Sequence, residues 1–217
     1  MKLLWSFLVG AALLSASPVG TTVELISPGD PTNIIHNNIY ISPYEMQING
    51  HDYAALCIDY LDESYLNDPW QANITPLSSL NFSNTYHHAD ANVAQEYEEE
   101  AWLYSQITVP GISNQTRTDI QKAVWLITDS SYNPSDAQAS YWVGQAESNY
   151  GSINLNDFEI VSDVNTGNGR NQEFMVCTPE PGTLMLLGTG LLLAGFGAAR
   201  KRFFANRATA MREESIV

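Results

Sequence analysis

Tyr44-Glu45-Met46-Gln47-Ile48-Asn49-Gly50-His51-Asp52-Tyr53-Ala54-Ala55-Leu56-Cys57-Ile58-Asp59-Tyr60 is the stretch whose reading decides the fold. Apolar and polar residues alternate through 44–48, as on a half-buried strand. Asn49-Gly50 is a strong hairpin signal, because the favoured two-residue turn needs positive φ at both positions. The run 53–60 is the returning strand, with Leu56 and Ile58 on one face and Cys57 and Asp59 on the other. An antiparallel sheet follows.

Outward from this hairpin, 23–26 and 39–41 read as short strands, the first closed by the turn Pro28-Gly29-Asp30-Pro31. Far along the chain, 158–164 and 173–177 read as strands around the loop Asn165-Thr166-Gly167-Asn168-Gly169. Helical spacing governs the middle. Residues 92–107 set Val93, Tyr97, Ala101 and Tyr104 on one stripe, with Glu96, Glu98, Glu99 and Glu100 expected mostly outward as a solvated face. Thr118 is the expected N-cap of a second helix over 119–128, with Ile120, Val124 and Ile127 buried. Ser135 and Gln138 resemble a capping box opening a third helix to about residue 147. The expectation is an α+β domain over residues 21–177: a sandwich or barrel-like sheet with an inserted helical block.

Both ends read as addresses. Lys2, the apolar run 3–14 and the small residues Ser15-Ala16-Ser17 predict a signal peptide within 1–20. At the other end, Pro179-Glu180-Pro181 precedes the apolar run 183–199 and the basic cluster Arg200-Lys201-Arg202. That pattern predicts a single transmembrane helix with residues 203–217 left in the cytoplasm as a tail.

Charge narrows the partners. Between residues 21 and 177 there are three cations (Arg117, Lys122, Arg170) and 21 Asp and Glu, a balance of 3 − 21 = −18. Nucleic acid is excluded as a partner, since phosphate binding needs basic side chains to displace counterions. No calcium loop, P-loop, dinucleotide glycine pattern or G-x-S-x-G elbow is present. No metal site and no cofactor are expected; His87, His88 and Asp90 read as a solvated loop. The chain is not expected to be an enzyme.

Two segments carry chemistry: Leu56-Cys57-Ile58-Asp59 on a strand and Ile120-Gln121-Lys122-Ala123-Val124-Trp125 on a helix. Together they resemble the bacterial thioester domains, surface-adhesin modules also called TQXA domains. Cys57 matches their first motif; Gln121, Ala123, Val124 and Trp125 match the second, with Ile120 where Thr is often seen. The resemblance implies an internal thioester between Cys57 and Gln121 that reacts with amines of an extracellular protein or matrix, giving adhesion. Trp125, one helical turn after Gln121, would wall the bond from water. The alternative is a Cys57–Cys177 disulfide or free thiols in a non-covalent structural protein of the surface or matrix.

The tail resembles the PEP-CTERM sorting domain of Gram-negative bacteria. That resemblance implies an exosortase, a membrane peptidase, as partner. It also implies an intermediate anchored in the inner membrane by the C-terminal helix, then release to the cell surface or extracellular matrix.

Overall fold

A computed structural model of the chain describes residues 20–29, 35–36, 39–129, 131–132 and 135–178. The expected signal peptide up to residue 19, the Pro-Glu-Pro motif, the apolar run, the basic cluster and the tail all lie outside the described residues.

Asn49 and Gly50 have φ of 50° and 82°, the paired positive values that the two-residue hairpin turn requires. They join β4 (Tyr44–Ile48) to β5 (His51–Cys57), in a register that sets Ile48 opposite His51 and Tyr44 opposite Ala55. Two strands precede them: β1 (Thr21–Ser27), and a short separate ladder of β2 (Ile35–His36) with β3 (Ile39–Tyr40). After the hairpin come β6 (Trp70–Pro76), then three helices, then β7 (Phe158–Asp163) and β8 (Phe174–Cys177). Six strands close into an antiparallel barrel in the order β1-β4-β5-β8-β7-β6. Closure leaves no unpaired sheet edge to recruit another chain. The expected sandwich or barrel-like sheet is a closed barrel, and the helical block enters between β6 and β7.

Residues directly opposite in a ladder share a face, so the register sorts every strand position. Val23, Met46, Ala55, Cys57, Phe174 and Val176 point to one face. That face is the barrel interior, because rings from non-neighbouring strands meet there: Tyr44 with Phe174 at 5.8 Å and Trp70 with Phe174 at 6.3 Å. Leu56, Met175, Ile160 and Phe158 lie on the outer face yet are also buried. Helices cover them, as the edge-to-face contact of Tyr104 with Phe158 at 5.6 Å records. Both faces are therefore dry at the end of β5, over residues 55–57, and simple inside–outside alternation does not hold there.

The helices are α1 (Val93–Ile107), α2 (Asn114–Thr128) and α3 (Ala137–Asn149). Helix α2 begins one turn before the expected Thr118. Ser113 is its cap, the hydroxyl accepting from the Thr116 N–H at 3.1 Å. Asp136, rather than Ser135, caps α3 through the N–H groups of Gln138 and Ala139. Lys122 of α2 pairs with the same carboxylate at 2.6 Å, joining one helix to the start of the next and holding the Asp136 carboxyl below its ordinary range. The glutamate run also departs from expectation. Glu99 and Glu100 are buried, Glu100 completely, because residue 100 sits on the stripe between Tyr97 and Tyr104.

Gly29 has φ of 71°, and a Cβ there would lie 2.2 Å from the carbonyl oxygen of Pro43. Gly29→Ala is expected to cost about 2 kcal/mol or more of unfolding free energy, read as a lower urea midpoint. Gly111→Ala, also at positive φ but with open space around it, should cost about 1 kcal/mol. Equal losses at the two positions would contradict the close approach described here.

Candidate functional site

Strand β5 stops pairing at Cys57, which leaves the next backbone carbonyls to find other donors. Side chains supply them in sequence. Gln121 Nε2 donates to the Cys57 carbonyl at 2.7 Å, Thr128 Oγ1 to the Ile58 carbonyl at 3.0 Å, and Gln172 Nε2 to the Asp59 carbonyl at 3.0 Å. Two of these donors belong to α2. The helix is thus docked on the barrel through the backbone of the segment that carries the cysteine.

Ser42 completes the arrangement. Its backbone N–H donates to Gln121 Oε1 at 3.2 Å, while its hydroxyl accepts from the Cys57 N–H at 2.9 Å. The Gln121 carboxamide is gripped at both ends, by Ser42 and by Cys57, and all three residues are 0% exposed. The Cys57 thiol donates to the Asp59 carbonyl at 3.1 Å. Burial pushes this thiol up to about 12, with the Asp59 backbone hydrogen bond and the Trp125 indole acting against the shift. The sulfur is a neutral thiol at ordinary pH and does not ionise unaided.

Trp125 is buried, packed against Tyr60 and Tyr132 at ring separations of 5.2 and 5.4 Å; Tyr60 and Tyr132 meet at 4.4 Å. Tyr60 is partly exposed, so this three-ring stack stands between Trp125 and solvent. The fold brings together Cys57, Gln121 and Trp125, residues far apart in the chain.

Cys177 stands elsewhere. Both cysteines are free. Cys57 lies opposite Phe174, and Cys177 opposite Phe158. The two are three strand positions apart, about 10 Å at the rise of a β-strand, and point to opposite faces. Disulfide geometry needs Cα atoms within about 7 Å and converging side chains. The expected alternative pairing does not match this arrangement.

Two buried acids adjoin the site. Glu173 Oε1 accepts from the Ser162 hydroxyl and from the Tyr86 N–H, and its Oε2 from the Tyr97 hydroxyl at 2.7 Å. Glu100 is equally buried; its carboxyl oxygens make no hydrogen bond of ordinary geometry, and the Thr128 hydroxyl only eases its charge. Burial raises both carboxyls above their ordinary range, and the Glu173 charge further discourages ionisation of Glu100, which is raised strongly. Sequence reasoning missed Ser42, Glu100 and Glu173. Helical spacing from Tyr97 and to Tyr104 carried the signal for Glu100; nothing local marked Ser42. His87 and His88 turn to different partners, Asp90 and the Thr85 carbonyl, and no group of three metal-ligating side chains converges among the described residues.

These features define a closed β-barrel capped by a helical block, with a cysteine and a glutamine amide locked together at their junction. A family model, the PEP-CTERM protein-sorting motif, matches residues 178–202. The chain therefore carries the sorting signal of an exported, surface-associated protein processed by exosortase, a membrane peptidase. No curated protein and no solved structure matches the chain. No helix among the described residues is long and apolar enough to cross a membrane.

The raised acids fix a pH dependence. A carboxyl whose folded value exceeds its unfolded one binds more protons in the folded state. Its contribution to stability is complete below the unfolded value, 4.5 for glutamate, and is lost as pH rises through the folded value. The urea midpoint should fall from about pH 5 to about pH 8, and Glu100→Gln should flatten that fall. A midpoint that stays flat or climbs with pH would contradict the raised carboxyls.

Proposed function

We propose that the passenger, residues 21–177, is a thioester-forming adhesive module displayed by the sorting tail. The observation that carries the reading is the grip on Gln121: its amide nitrogen bonds the Cys57 carbonyl and its amide oxygen meets the Ser42 N–H. In this reading Cys57 Sγ attacks Cδ of Gln121, and charge develops on Oε1, where Ser42 already donates. Such a preorganised donor stabilises the tetrahedral intermediate. The C–N bond then breaks and ammonia leaves, carrying the thiol proton. The product is an acyl–sulfur bond, an electrophile stored out of water.

A partner amine brought to the site attacks the same carbon. An amide bond to Gln121 forms, the C–S bond breaks, and the amine proton passes to the Cys57 sulfur. One molecule makes one linkage, so this is attachment rather than turnover. Trp125, with Tyr60 and Tyr132 outside it, keeps water from the bond and must shift to admit the amine. The partner is an extracellular protein or matrix component bearing lysine, which the acidic surface attracts. The module reaches the outer surface or matrix of a Gram-negative cell after an inner-membrane intermediate, held by the apolar run 183–199, has been cut.

A second reading has its own support. A fully buried thiol with so high a pKa is ordinarily an inert packing group, which would make this a non-covalent structural protein with free cysteines.

Intact-mass spectrometry of the exported protein separates the two. The thioester reading expects a mass lower by one ammonia, full mass in Cys57→Ala and Gln121→Ala, and stoichiometric addition of methylamine at Gln121. Full mass in the wild-type protein, with no methylamine uptake, overturns it.

A further inference from the structure

Residues 58–69, between β5 and β6, form a strap across one mouth of the barrel. Strands β1, β5 and β7 run toward that mouth, and β4, β6 and β8 run away from it, as their antiparallel pairing requires. The strap is pinned along its length. The Ile58 N–H donates to the Glu173 carbonyl at 3.0 Å, Arg170 pairs with Asp62, and the Gln172 N–H donates to the Ser64 hydroxyl at 2.8 Å. On the far side Leu66 bridges Leu25 of β1, and the Asn67 N–H donates to the Leu25 carbonyl at 2.8 Å. A loop held at both margins presents a preformed surface, which lowers the cost of ordering it on binding.

What the strap presents is apolar. Leu61 is 66% exposed, Tyr65 62%, and Tyr60 and Leu66 37% each. Single exposed apolar residues are ordinary, but four between residues 60 and 66 make a patch of the kind that marks interaction sites. The patch borders the candidate site, because Tyr60 stacks on Trp125 at 5.2 Å and on Tyr132 at 4.4 Å. It also lies away from the sorting tail. Strand β8 runs from this mouth to the other, so the sorting motif, which begins at residue 178, starts from the opposite mouth.

Charge selects the partner. Asp62, Glu63 and Asp68 lie on the strap, and the cation that meets it, Arg170, is paired with Asp62 and lies over the Tyr86 ring at 3.8 Å. The Tyr65 hydroxyl donates to Glu63 Oε2 at 2.7 Å, so an exposed ring and an exposed carboxylate stand side by side. That pairing suits lysine, whose apolar stem lies along a ring while its ammonium meets the carboxylate. A second copy of this chain does not suit. A two-fold contact would set the same carboxylates against each other on a passenger of net charge −18.

We propose that the strap is the docking surface for a lysine-bearing segment of an extracellular protein, with Leu61 and Tyr65 as apolar anchors and Glu63 as the ammonium acceptor. This deepens the thioester reading above, on which the step from docking to covalent capture rests. The strap seats the partner beside Tyr60, the ring that stands between Trp125 and solvent.

Binding is read by fluorescence anisotropy of a dye-labelled peptide of alternating lysine and leucine. The titrant is exported protein already treated with methylamine, which consumes any thioester and leaves only reversible docking to be measured. Leu61→Ser and Tyr65→Ser should each weaken binding by about 10-fold. Leu80→Ser and Tyr141→Ser, at comparably exposed apolar side chains elsewhere, should leave it unchanged. Glu63→Gln should weaken binding of the lysine peptide by about threefold and leave a serine-for-lysine peptide unaffected.

A glutamate-for-lysine peptide that binds equally well, or Leu61→Ser and Tyr65→Ser variants that bind like wild type, overturns the docking surface. Dimerisation of the protein that Leu61→Ser abolishes would assign the strap to a second copy and overturn the proposal as well. The two readings fail separately. Methylamine uptake at Gln121 without peptide binding overturns the strap alone; peptide binding without methylamine uptake overturns the thioester and leaves the docking surface standing.

Discussion

The structure depends on one carboxamide held in two places. Gln121 projects from α2, and its nitrogen and oxygen satisfy backbone groups on two different segments of the barrel layer, Cys57 and Ser42. Each such bond contributes about 1 kcal/mol net, but an unpaired polar group in this dry interior costs about 1–3 kcal/mol. That asymmetry fixes the orientation of α2. Thr128, two turns further on, takes the Ile58 carbonyl, so the helix meets the strand end at two points and has little freedom to slide. The Ile58 N–H, in turn, donates to the Glu173 carbonyl, which carries the register into β8.

The same junction concentrates the molecule's unusual electrostatics. The passenger carries a formal charge of −18, most of it solvated and consistent with an exported protein. Glu100 and Glu173 instead lie buried; the charge of Glu173 raises the cost of ionising Glu100, and that of Glu100 the cost of ionising Cys57. Glu173 is settled by its hydroxyl and amide donors, which also lock Tyr86 and Tyr97 in place. For Glu100 the Thr128 hydroxyl eases the charge, and the carboxyl stays raised strongly.

Much of the barrel was legible in the sequence, because its signals are local. Asn49-Gly50 specifies a turn whatever surrounds it, and the apolar runs in β1, β7 and β8 alternate or cluster as buried strands do. Strand β6 was missed. Its alternation of Trp70, Ala72 and Ile74 with Gln71, Asn73 and Thr75 is a strand pattern that was overlooked, and pairing with β1 and β7 shows it. The first turn of α2, Asn114-Gln115-Thr116-Arg117, bears no apolar residue, so its helical state rests on the Ser113 cap. At the site, Cys57 and Gln121 were found as a pattern, not from geometry. Ser42 was invisible, since its role depends on a contact spanning 79 residues. Glu100 was misplaced because four glutamates within residues 96–100 read as a solvated face; its helical phase alone separated it from Glu96 and Glu98.

The central claim is that the sulfur of Cys57 and the carboxamide carbon of Gln121 are built to join. An experimental electron-density map of the exported protein, grown without amine buffers, tests this most directly. The account predicts continuous density between Sγ and Cδ at bonding distance, with the Nε2 density gone and Ser42 still facing the remaining oxygen. Separate thiol and amide density, with Nε2 retained on the Cys57 carbonyl in protein never exposed to amines, would contradict it.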